Sequence, residues 1–135
     1  MTLAVGPQAQ FSPGTVQPKP WGDERIYADG EHGYVGKILS VRAGHALSLQ
    51  YHVDKDETIV VISGDGLIEH GPTAGLLVPH ALRPGDVVHL PPTVLHRITA
   101  VSDLVLAEAS TALPGWQDDV VRLQDRYGRD GTTHP

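Results

Sequence analysis

From Tyr34 onward the chain is a succession of short apolar runs cut by turn residues: YVGKILSV, ALSLQYH, TIVVISG, GLIEH, AGLLVPH, DVVHL, HRITAV and LVLAEA. Each run has the length of a strand and is rich in Val, Ile or Leu. Gly, Pro, Asp or Ser punctuate the gaps, so each reads as a β-strand. Eight short strands at this spacing predict an all-β sandwich or barrel. Order is expected to begin near Trp21. Residues 1–18 are rich in Pro, Gly and Gln and follow no period, and they read as a flexible N-terminal arm or a strand lent to a neighbouring subunit. The barrel is expected over residues 19–129 and a disordered tail over 130–135. One stretch, WQDDVVRLQDRYG, offers a helical turn in which Val120, Val121 and Leu123 would cover the end of the barrel, so the C-terminal segment is expected to be short and irregular or helical.

Composition narrows the chemistry. A chain of 135 residues makes one domain with one core, and hence one site. It has no cysteine, so disulfides and thiolate metal sites are excluded, and any metal must be held by His and oxygen ligands. The N-terminus lacks the basic flank and apolar core of a signal peptide, and no apolar run approaches the ~20 residues of a membrane span, so the expectation is a cytoplasmic protein without a membrane partner. A net charge of −6 without a Lys/Arg cluster argues against a nucleic-acid surface and for a small-molecule partner. Sheet edges and a Pro/Gly-rich arm that could cover them predict a homodimer.

Candidate metal ligands stand in the stretch LSLQYHVDKDE. Strand residues two apart share a face, so Gln50 and His52 point the same way. The polar connection VDKD suits a hairpin loop, which would set Glu57 at the start of the returning strand beside them. His96 closes GDVVHLPPTVLH, where Pro91 and Pro92 force an extended turn able to aim the following His inward. Two nitrogen and two oxygen donors suit one divalent transition-metal ion, zinc first, with Mn, Fe, Co or Ni as alternatives. The ordinary alternative is that the Gln and His are solvated turn residues and the Glu an edge charge.

Spacing weighs against that alternative. Gly44, Gln50, His52, Glu57 and Gly64, followed by Gly85, Pro91, Pro92, Thr93 and His96, resemble the two motifs of the cupins, small double-stranded β-helix barrels of the jelly-roll type. Gln50 stands where that family has the first His of His-X-His, Thr93 where it has Gly, and Ala100 where it has Asn. The Gln replacement is similar to the metal set of the mannose-6-phosphate isomerases. KPWGDE, GHALSLQYH with Lys55 and Glu57, LPPTVLHRI and DDVVRLQDRYGR resemble the isomerase domain of the bifunctional mannose-phosphate isomerase and guanylyltransferase enzymes. Within that resemblance, Lys55 replaces a frequent Arg and Ile59 a frequent Trp. The nucleotide-binding Gly-rich loop of the other half is missing from this sequence.

The resemblance implies a metal-dependent isomerase interconverting an aldose and a ketose phosphate of the mannose 6-phosphate/fructose 6-phosphate type. A carboxylate-ligated divalent ion would stabilise the enediolate; its bound water, Lys37, His45 or Glu108 would handle the proton, and Lys37, Lys55, Arg97 and Arg122 are the candidates to bind phosphate. Trp21 either stacks on the sugar or plugs the core. The alternatives are an iron-dependent oxygenase on the same scaffold and a non-catalytic sugar-binding module. His89 reads as a packed or rim residue, and His32, His70, His80 and His134 as surface.

Overall fold

The computed structural model describes residues 6–133. Eleven strands form two antiparallel sheets: β1 (Thr15–Lys19), β2 (Gly22–Asp29), β3 (Tyr34–Val41), β4 (Leu49–Tyr51), β5 (Glu57–Ser63), β6 (Gly66–Gly71), β7 (Val78–Leu82), β8 (Val87–Leu90), β9 (Leu95–Ala100), β10 (Leu104–Thr111) and β11 (Val121–Gln124). The larger sheet runs β1-β2-β3-β10-β5-β8 and the smaller β11-β4-β9-β6-β7. This is the expected all-β jelly roll. Among the described residues no helix is long and apolar enough to cross a membrane.

Alternation of side chains decides what fills the barrel. The inward series runs Lys37, Leu39, Val41 on β3; Glu57, Ile59, Val61 on β5; His96, Ile98, Ala100 on β9; and Leu104, Leu106, Glu108 on β10. Apart from half-buried Lys37, all are nearly inaccessible to solvent. Each strand thus gives two apolar positions to a core shared with Ile68, Leu82 and Trp21, and one polar position to a site at the core's edge. Turns follow backbone demand. Gly64 has φ 83°, and a Cβ there would sit 2.0 Å from the Asp103 carbonyl oxygen, so only Gly fits the corner between β5 and β6.

Several details differ from the sequence reading. Residues 15–19 form β1, paired along its length with β2, so the arm is shorter than expected. The helical turn shrinks to one 3₁₀ turn at Trp116–Asp118, and the residues after it form β11 on the open edge of β4. In that strand Val121 and Leu123 cover no barrel end, and Leu123 is exposed, while the preceding Val120 is buried. β4 and β5 are not a hairpin. Both edges of β4 are occupied, by β9 and β11, so residues 52–56 cross from the smaller sheet to the larger one. Within the expected tail, the Gly131 amide bonds the Arg122 carbonyl and Thr132 bonds the Arg122 side chain. His134 lies outside the described residues.

Candidate metal centre

His52, Glu57 and His96 converge between the two sheets. Their candidate ligand atoms lie within 4.8 Å of one another, and all three residues are buried. Glu57 Oε1 is 3.3 Å from His52 Nε2 and 3.3 Å from His96 Nε2. The other ring nitrogens fix the tautomers. His52 Nδ1 donates to the Asp119 carbonyl at 2.6 Å and His96 Nδ1 to the Val94 carbonyl at 3.0 Å. A carbonyl can only accept, so both protons sit on Nδ1 in the neutral rings and both Nε2 lone pairs face the carboxylate. Two lone pairs and a carboxylate oxygen oppose one another unless a cation lies between them, and His52 Nε2 is buried with no hydrogen-bond partner. The donor set fits a divalent transition metal with both imidazoles held from behind. Gln50 pairs directly with His96 across β4 and β9 and lines the same cavity. Its Oε1 accepts from Ser48 Oγ at 2.7 Å.

Charge around this set is tightly paired. Lys55, 5% exposed, bridges Glu57 Oε2 at 3.3 Å and Glu108 Oε2 at 3.4 Å. Burial works to lower the Lys55 pKa, but the charges of Glu108 and Glu57 outweigh it and leave it raised. Burial alone would raise the Glu57 carboxyl; hydrogen bonds from His52 and His96, which need protons on both Nε2 atoms when no cation lies between, and the Lys55 charge hold it well below the ordinary carboxylate range. Glu108 goes the other way, pushed up to about 8 by burial and by the Glu57 charge. A second cluster faces them: Glu24 lies 2.5 Å from Lys37 and 3.4 Å from Lys19, and the Lys37 ammonium sits 5.2 Å from the centre of the Trp116 ring. Arg122 and Arg129 complete the wall. Burial, together with the neighbouring Arg129 charge, depresses the Arg122 pKa.

Of the residues singled out in the sequence, Trp21, Lys37, Gln50, His52, Lys55, Glu57, His96, Glu108 and Arg122 line this one cavity. Trp21 is 3% exposed and forms part of its floor. Two residues lie elsewhere. His45 bonds the Tyr127 hydroxyl at 2.7 Å and stacks on that ring, and Arg97 grips Glu69 through two hydrogen bonds of 3.0 and 3.1 Å. His89 is neither packed nor at the cavity: it is exposed on the outer face of the edge strand β8, 2.7 Å from Asp56. Sequence reasoning missed Glu24, Lys19 and Asp119. The first two stand in KPWGDE beside Trp21 and the third in DDVVRL beside Arg122, where a single ammonium or carboxylate among other charges reads as surface.

Residues 10–125 match the family described as mannose-6-phosphate isomerase C-terminal. The chain belongs to this family. It is 31% identical over 113 residues to the xanthan biosynthesis protein XanB of Xanthomonas campestris, covering 82% of this chain and 23% of that protein. It is 30% identical over 115 residues to the mannose-1-phosphate guanylyltransferase ManC of Salmonella typhimurium, covering 82% and 22% respectively. The chain therefore spans less than a quarter of the length of these curated relatives. Among solved structures, it is similar to the capsular polysaccharide assembling protein CapF of Staphylococcus aureus, with a TM-score of 0.71 at 18% identity over 84% of this chain and 35% of that one. Oxalate decarboxylase of Bacillus subtilis gives a TM-score of 0.73 at 15% identity over 84% and 31%. These likenesses establish the cupin fold.

Proposed function

We propose that this cupin domain is a metal-dependent sugar-phosphate isomerase of the mannose 6-phosphate/fructose 6-phosphate type. The observation that carries the reading is the buried His52, Glu57, His96 set placed in one cavity with the cations Lys19, Lys37, Arg122 and Arg129. A divalent ion held by these three residues, with the Gln50 amide oxygen as fourth donor and zinc as first choice, would supply Lewis-acid charge for the two oxygens of an enediolate. The chain's own residues supply the rest. Glu108 and Lys37 stand opposite each other on β10 and β3, and one of them takes the proton from C2 of the aldose and delivers it to C1 of the enediolate, while the hydroxyl proton passes from O2 to O1. Arg122 grips the phosphate, and Arg129, held by Asp125 through hydrogen bonds of 3.0 and 2.9 Å, adds positive charge beside it. Lys55 is enclosed by two carboxylates, so its part here is charge balance instead of phosphate contact. Phosphorylated hexoses do not cross membranes unaided, so this reading also places the protein in the cytoplasm.

Mannose 6-phosphate and related hexose phosphates incubated with metal-loaded protein in deuterated water test the reaction. Ketose should form, with deuterium at the exchanging carbon to the extent that solvent reaches the base. Chelation should abolish it, and Glu57→Gln should remove most of it. Binding without conversion across the panel would replace the isomerase with a sugar-binding module. Two histidines and one carboxylate are also the set used by iron-dependent oxygenases; tightly bound Fe(II) with oxygen uptake would favour that reading.

A homodimer belongs to the proposal. The outer face of the larger sheet exposes Tyr27, Ile62 and Val87 beside half-buried Ile38, Val60 and Val105, making the sheet apolar on both sides. A second copy is the occupant that fits, because a mostly apolar face whose exposed charges on β2, Asp23 and Arg25, are of opposite sign can meet itself across a two-fold axis. Light scattering should give twice the chain mass, and Val87→Glu the single mass. A wild-type monomer at high concentration overturns it.

A further inference from the structure

Asp119 makes four contacts with the segment that carries two of the three ligands. Its carboxylate accepts hydrogen bonds from three successive backbone amides, Val53 at 2.7 Å, Asp54 at 3.0 Å and Lys55 at 2.8 Å. Its own carbonyl accepts the Nδ1 proton of His52 at 2.6 Å. Residues 52–56 cross between the sheets with no ladder to hold them, so their amides need acceptors from elsewhere, and one residue provides three. Asp119 is itself held by the turn at Trp116–Asp118, where its amide bonds the Trp116 carbonyl, and it runs through Val120 into β11, which pairs with β4. The acceptor for His52 is thus fixed in space from both directions along the chain.

We propose that Asp119 is a positioning residue: its carboxylate sets the course of residues 53–55, and its carbonyl locks the His52 tautomer that leaves Nε2 free for a metal ion. The claim rests on the metal reading above but concerns this chain's geometry. The two tasks are coupled, because the carboxylate's bonds to residues 53–55 hold the carbonyl of the same residue against the His52 ring. The carbonyl specifies which nitrogen of His52 bears the proton and aims the ring. The three amide bonds fix the backbone between His52 and Glu57, so the ligands keep their spacing before any ion arrives and less ordering remains to be done on binding. A structural cap alone would stabilise the fold without discriminating one histidine from the other.

The test uses the full chain. Affinity for Zn(II) and Co(II) is measured by competition with a chromophoric chelator for wild type, Asp119→Ala and Asp119→Asn, with urea stability recorded for each metal-free protein. Asp103→Ala serves as control, because Asp103 caps a turn away from the site by accepting the Ala43 amide at 2.8 Å. Asp119→Ala should lose about 10- to 100-fold in metal affinity while keeping its β-sheet circular dichroism. Asp119→Asn, which retains a single acceptor oxygen, should fall between, and it serves as the working variant if the alanine protein does not fold. Asp103→Ala should lose stability and keep metal affinity. In parallel, the Nδ1–H proton of His52 is followed by NMR in metal-free protein. It should be protected from exchange in wild type and lose protection in the Asp119 variants, while that of His96, bonded to Val94, is unchanged. Wild-type affinity in Asp119→Ala, or an equal loss in Asp103→Ala, overturns the proposal. If wild type itself takes up no metal, the metal reading fails, and the NMR arm still decides the positioning: persistent protection of His52 in the Asp119 variants overturns it.

Discussion

The two ends of the barrel interior are built on the same strands and held together by opposite means. Around Val41, Val61, Ala100 and Leu104 the interior is apolar, and its stability comes from area removed from water and close contact. A few residues along the same strands, around Lys37, Glu57, His96 and Glu108, it is charged, and burying those groups costs energy that only their partners offset. The apolar end needs volume, and many side chains of similar size would serve. The polar end needs particular atoms at particular distances: Lys55 between Glu57 and Glu108, and Lys37 with Lys19 around Glu24. The difference teaches that one end is a foundation and the other is a site maintained at the fold's expense.

Removing one member of the charged end should have the largest effect. Lys55→Met leaves two buried carboxylates without their shared cation, and the metal-free protein should lose about 3 kcal/mol in urea unfolding. Added divalent ion should restore part of that loss, since a cation at Glu57 replaces the missing charge. Leu106, wholly inaccessible to solvent, tests the other end. Leu106→Ala should cost about 2–3 kcal/mol through lost contacts and a cavity, and the loss should be the same with and without metal. A metal-dependent loss at Leu106, or a metal-independent one at Lys55, would erase the distinction between the ends.

A smaller effect separates both ends from the surface. The Glu69 carboxyl is held below its ordinary value of 4.5 by its hydrogen bonds from Arg97. A carboxylate depressed in the folded state contributes stability that is fully present above the unfolded value and fades as pH falls through the folded one. The stability difference between wild type and Arg97→Ala should therefore be under about 1 kcal/mol, flat from about pH 7 to 5, and shrinking below. A difference that grows on acidification would contradict the pairing.

How far the chain could be read in advance follows the same division. The eight apolar runs became β3 to β10 because alternation against a core is what a strand pattern records. β2 was invisible because its inward face carries Glu24, which belongs to the site, and a strand with a charge pointing inward does not look like one. β1 was hidden among prolines, and β11 is a four-residue edge with one buried side chain, Arg122. The candidate ligands were legible because Gln50 and His52 lie two apart in sequence and Glu57 follows closely. Asp119 was not, because its partners are distant in the chain and its contacts are with backbone amides, which leave no mark on residue types. Thr93 is a different case: its departure from the family's Gly was visible, and the structure shows its consequence. It adopts φ 75° and donates its amide to the His52 carbonyl at 2.7 Å. Thr93→Gly should relieve left-handed strain of about 1–2 kcal/mol against the entropy cost of Gly, about 0.5–1 kcal/mol. The net stabilisation expected in thermal unfolding is about 0.5 kcal/mol. Destabilisation would show that the threonine side chain contributes more than its backbone costs.

The central claim is that the charged end is a metal centre, and titration of the chelator-treated protein with Zn(II), Mn(II), Co(II), Ni(II) and Fe(II) tests it most directly. The expected result is about one ion per chain, released as the histidines protonate in acid, with His96→Ala abolishing binding and Gln50→Ala only weakening it, since a neutral amide oxygen is the weakest donor of the set. No uptake of any of these ions by the wild-type protein, with no thermal shift on adding them, would contradict the account.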